Sequence, residues 1–180
     1  MLVDFSSNSL TGPVPDEIGN ATALSEVYLS YNFLRGPLPL SVGYLKNITV
    51  IDLDYNHFSG SLPNSLSAAT NLTILSCAYC EFTGSLPSLV ASQMSLQVLD
   101  FPSNVLYGSF PLWLRQMTQL KTINIESNNF NGTIPSDIGS WWENIDIINL
   151  AAKSERKTSN FLSNARASLL STTLGSRRKS

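Results

Sequence analysis

The 180-residue sequence is poor in the residues on which most enzymes and small secreted scaffolds depend. It contains one histidine and two cysteines, and charged residues make up 13% of the chain, about half of the usual ~25%. A single histidine argues against a histidine-based metal site or proton shuttle, and two cysteines cannot supply the disulfide framework of a small scaffold. We therefore expect no catalytic residues, no metal site and no cofactor.

Long apolar runs are also lacking. No run of about 18 apolar residues occurs, which predicts that this chain carries no membrane segment. The N-terminal residues Met1 to Ser6 have neither the basic stretch nor the apolar run of a signal peptide. Apolar residues nevertheless make up 43% of the chain, enough to offset the entropy of ordering, so the chain is not disordered throughout.

The charges are unevenly distributed. Residues 1–152 contain twelve acidic and four basic residues, whereas residues 153–180 contain seven basic residues and one acidic residue. This shift predicts one folded domain over residues 1–152, followed by a basic, serine-rich tail over 153–180 that is disordered or forms a weak helical cap. The cluster Arg177-Arg178-Lys179 is too short to indicate a nucleic-acid partner.

A 24-residue repeat dominates residues 1–150. Asparagine recurs in register, with one cysteine substitution, at Asn8, Asn32, Asn56, Cys80, Asn104 and Asn128. Glycine follows four residues after each of these positions and proline three residues later again, as in Gly36 and Pro39. Five further glycines in register would arise by chance less than about once in a million sequences, so the period identifies a repeat architecture.

Each repeat reads as a short strand followed by a turn. Apolar residues alternate before the asparagine, as at Ile51 and Leu53, which predicts a strand of about three to five residues with these side chains inward. An inward asparagine at the strand end can satisfy buried backbone groups of neighbouring turns, so the six positions predict a structural asparagine ladder. Stacked repeats bury together what one repeat cannot bury alone.

These residues resemble a known family. The second repeat reads Leu24-x-x-Val27-x-Leu29-x-x-Asn32-x-Leu34-x-Gly36-x-Leu38-Pro39. This is similar to the plant-specific class of leucine-rich repeat, with consensus L-x-x-L-x-L-x-x-N-x-L-x-G-x-I-P. The resemblance implies an α/β solenoid: a short horseshoe of about seven repeats with a parallel concave sheet and a convex side of short 3₁₀ helices and loops. The seventh strand arrives one residue late, because Trp141-Trp142 adds a position.

The resemblance also implies a function. Relatives form the ectodomains of plant receptor-like kinases and receptor-like proteins, so we expect non-catalytic recognition of a peptide or protein ligand, together with a co-receptor, in signalling or defence at the cell surface. The chain starts within a repeat and lacks the cysteine-bearing caps of these relatives; we therefore expect a fragment or truncated relative. Three alternatives remain open: a cytoplasmic scaffolding repeat protein, an inhibitor of pathogen cell-wall-degrading enzymes, and a non-functional truncated product.

Outward positions of the concave strands form columns of equivalent residues. The Asp4 column comprises Asp4, Tyr28, Asp52, Ser76, Asp100 and Asn124. The Ser6 column comprises Ser6, Ser30, Asp54, Ala78, Pro102 and Glu126. The Ser7 column comprises Ser7, Tyr31, Tyr55, Tyr79, Ser103 and Ser127. Tyrosines beside carboxylates favour a basic ligand, and the predicted binding residues are Tyr28, Tyr31, Asp52, Asp54, Tyr55, Tyr79, Asp100 and Glu126. The alternative is a solvated sheet face whose tyrosines reflect β propensity.

Three motifs suggest chemistry but have simpler explanations. Asp52 and Asp54 have a spacing that two-carboxylate hydrolysis can use, yet an open sheet offers no apolar pocket to raise either pKa. Cys77 and Cys80 form C-x-x-C, but the repeat register turns both inward at a separation too large for a disulfide. His57 is predicted to be an exposed residue. All three are interpreted as structural or solvated residues.

Four Asn-x-Ser/Thr sequons offer glycosylation acceptors. They lie at Asn20, Asn47, Asn71 and Asn131. The abundance of asparagine, serine and threonine predicts about as many sequons by chance, so their number does not indicate secretion. If the protein is secreted, these four side chains are the predicted acceptors.

Overall fold

The computed structural model describes residues 1–88 and 95–151. The predicted tail over 153–180 lies outside the described residues. The described residues form thirteen short strands: β1 Leu2–Asp4, β2 Thr11–Gly12, β3 Glu26–Tyr28, β4 Phe33–Gly36, β5 Val50–Asp52, β6 His57–Ser61, β7 Ile74–Ser76, β8 Glu81–Gly84, β9 Val98–Asp100, β10 Val105–Ser109, β11 Thr122–Asn124, β12 Asn129–Asn131 and β13 Ile147–Asn149.

The odd-numbered strands form a seven-stranded parallel sheet in chain order. Each strand pairs with its equivalent in the next described repeat; Val27, for example, is opposite Ile51. We number the repeats 1 to 7 by these strands. The last step is one residue longer, with Ile123 opposite Ile148, as the additional residue at Trp141-Trp142 predicts. This sheet carries the concave face.

The even-numbered strands form a second, six-stranded parallel sheet that the sequence reading did not predict. It lies after the asparagine of each repeat, and its register differs from that of the first sheet, because Gly36 is opposite Phe58, 22 residues away. Gly36 adopts a φ of +85°, which favours glycine, and the recurring glycine thus allows the chain to turn out of this sheet.

Five 3₁₀ helices form the convex side among the described residues, at Asp16–Asn20, Leu40–Tyr44, Asn64–Ala68, Leu112–Gln116 and Ile138–Ser140. The first four begin directly after a proline, as at Pro39, whose φ of −68° is close to the helical value. They pack closely, and a Cβ placed on Gly43 would overlap the backbone carbonyl of Ser65. Such spacing keeps successive repeats in contact on both sides of the core.

The core lies between the two sheets and the 3₁₀ helices. One side chain from each concave strand recurs in it, including Val27, Ile51 and Leu75, each at most 3% exposed. Phe58 and Phe82 are fully buried, and their rings stack with centroids 5.9 Å apart. Because each repeat covers the apolar side of its neighbour, the core is continuous along the stack.

Candidate functional site

Strand alternation positions the candidate ligand-binding side chains. In β5, Ile51 is directed into the core, whereas Asp52 is directed outward, and Asp54 follows two residues later on the same face. The parallel pairing places Asp52 between Tyr28 and Ser76 of the adjacent repeats. The structure thus brings the three predicted columns together on one face of the first sheet.

The carboxylates at the centre of this face are held by hydrogen bonds between repeats. The Ser30 hydroxyl donates to Asp52 Oδ2 at 2.9 Å. Asp54 Oδ1 accepts from the Ser76 hydroxyl and from the Ala78 backbone N–H, both at 2.7 Å. These contacts fix each carboxylate in one orientation, which reduces the entropy that a ligand would have to remove.

Burial makes two of these carboxylates unusual. It raises the pKa of Asp54, and the charges of Asp52 and Asp100 raise it further against the lowering effect of the Ser76 and Ala78 hydrogen bonds. Burial likewise raises the pKa of Asp100 against the lowering effect of hydrogen bonds with Asn124 and Ser76, and the nearby Glu126 adds to the rise. Half-buried like charges repel one another, so a cation at this face would be favoured. We name Asp52, Asp54, Asp100 and Glu126 the acidic patch.

The two remaining predicted site residues of the face have partners of their own. The Tyr28 hydroxyl donates to Glu26 Oε2 at 2.9 Å. Glu126 Oε2 accepts from Asn149 Nδ2 at 2.7 Å. Tyr28 therefore stands apart from the other three predicted tyrosines, while Glu126 extends the acidic patch towards repeat 7.

Tyr31, Tyr55 and Tyr79 form a tyrosine stack beside the acidic patch. Their ring centroids are 4.4 and 4.6 Å apart, and the planes differ by 11° and 13°. The side chains are 55%, 41% and 50% exposed. All three residues have φ between 52° and 57°, a left-handed conformation that costs a non-glycine residue about 1–2 kcal/mol. The stack is thus an ordered, solvent-accessible aromatic surface.

The ladder residues lie on the inner side of the same turn. Asn56 Nδ2 donates to the carbonyls of Leu29, Leu53 and Asp54 at 2.9–3.1 Å, and its Oδ1 accepts from the Leu34 N–H at 3.0 Å. The structure places three further ladder residues in the same arrangement, and they are Asn32, Asn104 and Asn128. Asn8 differs because it is exposed and its side-chain amide donates to Phe5 and Ser6 of its own turn.

Cys80 occupies the ladder position of repeat 4 with a weaker set of bonds. Its Sγ lies 3.4 Å from the Leu53 carbonyl and 3.7 Å from the Ala78 carbonyl. Cys77 is fully buried, and both cysteines are free. Burial raises the pKa of Cys80 to about 12 and raises that of Cys77 strongly. Both thiols are therefore inert at neutral pH.

Two surface features were not predicted from the sequence. The Leu2 column precedes the Asp4 column, and its members are Leu2, Glu26, Val50, Ile74, Val98, Thr122 and Ile147. It adds an apolar strip to the concave face, and the same 24-residue spacing would have identified it.

On the second sheet, His57 Nδ1 lies 3.1 Å from Glu81 Oε1, and the His57 ring stacks on Phe33. That pair depends on a sheet that the repeat pattern did not indicate.

The four sequon asparagines are all exposed. Asn47 Nδ2 donates to the Thr22 carbonyl at 2.9 Å, and Asn71 Nδ2 donates to the Lys46 carbonyl at 2.8 Å. Each of these bonds links one repeat to the preceding one. A glycan on either asparagine would have to share or replace that bond.

Within residues 1–88 and 95–151, no group of three or more histidine, cysteine, aspartate or glutamate side chains is arranged to hold a metal ion. Over the same ranges, no helix has the length and apolar character needed to cross a bilayer.

Comparison with known proteins identifies the repeats. The family described as Leucine Rich Repeat matches residues 47–69, 71–92 and 119–141. The ectodomain of the Arabidopsis thaliana receptor kinase GASSHO1/SCHENGEN3, solved with CASPARIAN STRIP INTEGRITY FACTOR 2, is 35% identical, with a TM-score of 0.79 over 83% of this chain and 18% of that chain. PEPR1, solved with AtPEP1, is 32% identical, with a TM-score of 0.77 over 84% of this chain and 21% of that chain.

A third similar structure contains a further partner. The Arabidopsis receptor kinase HAESA, solved with the peptide hormone IDA and the co-receptor SERK1, is 25% identical, with a TM-score of 0.79 over 84% of this chain and 26% of that chain. The chain thus spans about a fifth to a quarter of the length of these structures. No curated protein sequence matches it. The predicted solenoid fold and the resemblance to plant receptor ectodomains are confirmed.

Proposed function

We propose that this chain, a solenoid of leucine-rich repeats of the plant receptor-kinase type, binds a basic peptide along its concave face as part of a receptor-like protein at the cell surface. Among the similar structures, HAESA is solved with the peptide hormone IDA and the co-receptor SERK1, and this supports a peptide as the ligand. The role proposed for this chain is signalling together with a co-receptor. The signalling pathway that the receptor serves would act either in development or in defence.

The charge distribution of the concave face carries the proposal. The four columns of this face contain six acidic residues and, among the described residues, no lysine or arginine; the acids are Asp4, Glu26, Asp52, Asp54, Asp100 and Glu126. Partial burial of Asp54 and Asp100 weakens the screening of their charges by water. A ligand with several cations would relieve this repulsion, and its apolar side chains would contact the Leu2 column.

The tyrosine stack complements the acidic patch. Tyr31, Tyr55 and Tyr79 present a rigid aromatic surface with hydroxyl groups, and little conformational entropy is lost when such side chains bind a ligand. Desolvation raises the pKa of Tyr55, and the adjacent Tyr31 and Tyr79 raise it further, so the Tyr55 hydroxyl remains protonated and can donate. An extended peptide crossing the repeats would meet carboxylates and tyrosines side by side.

Binding of a defined basic peptide tests this proposal. The probe is an acetylated, amidated peptide of alternating lysine and serine, compared with its glutamate counterpart by isothermal titration at pH 7. We expect the lysine peptide alone to bind, and we expect its affinity to fall about tenfold in the variant Asp54→Asn/Asp100→Asn/Glu126→Gln.

A matched control separates the concave face from net charge. The variant Asp16→Asn/Glu17→Gln/Asp137→Asn changes the charge by the same amount at exposed positions of the convex side. It should bind the lysine peptide like the unmodified chain. Equal losses in the two variants would mean that attraction to the whole molecule, rather than a site on the concave face, drives binding.

A further inference from the structure

The tyrosine stack ends at a step in the surface. The residues that follow Tyr79 in its column are Ser103 and Ser127, whose φ values of 55° and 54° match the 52° of Tyr79. The three side chains therefore leave the backbone in the same direction. Because serine ends at its hydroxyl, the ring face of Tyr79 that is turned away from Tyr55 is not covered by a fourth ring. We name this open face with its floor of Ser103 and Ser127 the serine shelf.

Two carboxylates of the acidic patch border the serine shelf. Glu126 directly precedes Ser127, and Asp100 lies three residues before Ser103 on the same face. Asp100 Oδ1 is buried and has no hydrogen-bond partner. One Glu126 oxygen accepts from Asn149, and the carboxylate has a second oxygen with which to accept a further bond. The shelf thus joins an open aromatic face to negative charge.

We propose that the serine shelf is the subsite for an arginine side chain of the ligand, with the guanidinium stacked on the outer face of Tyr79 and paired with Glu126. This inference rests on the proposed function and specifies the basic residue that the site selects. A guanidinium is planar, carries a delocalised charge and stacks on aromatic rings, whereas a lysine ammonium is a compact, strongly hydrated charge. The spacing of 4.6 Å between Tyr55 and Tyr79 shows that the column holds planar groups at this separation.

The opposite end of the stack lacks this combination. The outer face of Tyr31 is next to Ser7, which has the same backbone conformation. In repeat 1, which contains Ser7, the concave face has one acid, Asp4, and it already accepts from the backbone N–H of Ser6 at 2.9 Å and from its hydroxyl at 2.5 Å. These bonds lower the pKa of Asp4 and occupy its Oδ1. Tyr31 therefore has an open ring face bordered by one acid, Asp4, whereas Tyr79 is bordered by Asp100 and Glu126, and Tyr31 serves as a matched control for Tyr79.

Three peptides that differ in one side-chain type test the proposal. They are acetylated, amidated serine-rich heptapeptides with two arginines, two lysines or two citrullines, the last being planar but neutral. We expect the arginine peptide to bind about fivefold more tightly than either of the others at pH 7. In the complex, ring currents should move its δ-proton resonances upfield. Tyr79→Phe should preserve both effects, and Tyr79→Leu should abolish both. Tyr31→Leu should weaken all three peptides to the same extent and keep the arginine preference and the upfield shift.

The outcomes distinguish this inference from the proposed function. If the arginine and lysine peptides bind equally, and both depend on the acidic patch, the arginine subsite is wrong while the peptide-binding face stands. If none of the peptides binds, both proposals are wrong. Loss of arginine preference in Tyr31→Leu would refute the assignment to Tyr79. Thermal unfolding of Tyr79→Leu and Tyr31→Leu shows whether both variants keep the fold, and Tyr79→Phe remains informative if Tyr79→Leu does not.

Discussion

Replacing Cys80 by asparagine should stabilise the protein, because repeat 4 has the weakest step of the asparagine ladder. The thiol donates one weak bond to the Leu53 carbonyl at 3.4 Å, and sulfur is a poor acceptor for the backbone N–H of Phe58. In the next repeat, Asn104 donates to three carbonyls and accepts from Phe82 N at 3.0 Å. The same backbone geometry is therefore available to an asparagine at position 80.

The magnitude follows from the bonds exchanged. An asparagine would convert one weak N–H···S contact and one weak S–H···O contact into conventional hydrogen bonds and add up to two more, each worth about 0.5–1.5 kcal/mol net. Desolvating the amide offsets part of this gain. We expect Cys80→Asn to raise the free energy of unfolding by roughly 1–2 kcal/mol, or the melting temperature by about 3–6 °C for a chain of this size.

Urea unfolding followed by far-UV circular dichroism measures the difference. Cys77→Asn is the matched control, since it introduces the same amide three residues earlier at a fully buried position where the repeat places an apolar side chain. That variant should lose stability. If Cys80→Asn is neutral or destabilising, the ladder bonds are not what holds this turn, and the physical account of the recurring asparagine is wrong.

Three further predictions concern packing, charge and thiol reactivity. Gly43→Ala should destabilise the protein by about 1–3 kcal/mol in urea unfolding, because the new methyl overlaps the Ser65 carbonyl; an unchanged midpoint would contradict the close packing of the convex side. The pKa values of Asp54 and Asp100 are raised on folding, so their contribution to the free energy of unfolding should grow as pH falls from neutral towards 4. Over that range the unmodified chain should gain stability relative to the Asp54→Asn/Asp100→Asn variant. Iodoacetamide at pH 8 should label Cys80 in urea and leave it unmodified in the native protein, whereas rapid native labelling would contradict its burial.

The first sheet could be predicted from the sequence because the alternation within each strand and the spacing between repeats indicate the same register. Ile51 and Leu53 alternate with Asp52, and identical spacing in successive repeats leaves one register that buries all the apolar residues together. The second sheet was missed for a physical reason. Its strand His57–Ser61 contains Gly60 at positive φ and lacks simple alternation, so its pairing is decided by the neighbouring turn rather than by its own residues.

The candidate site was predicted in composition but not in detail. Repeat spacing sufficed to align Tyr31, Tyr55 and Tyr79 in one column. Their parallel rings depend on a left-handed backbone at that position, which no tyrosine propensity would suggest. The raised pKa of Asp54 depends on burial by neighbouring repeats, which only the assembled stack provides.

Tyr55 and Asn56 are adjacent residues of one turn, but the fold depends on the asparagine much more than on the tyrosine. The left-handed position is occupied by serine in three of repeats 1 to 6, so the backbone there does not need a tyrosine ring. Asn56, in contrast, satisfies four backbone groups that would otherwise be buried unpaired. Asn56→Ser should therefore cost about 3 kcal/mol, and Tyr55→Ser about 1 kcal/mol for the lost ring contacts. Urea unfolding of the two variants measures both costs. Equal costs would make the tyrosines structural residues, and the case for a recognition surface on this face would lose its main support.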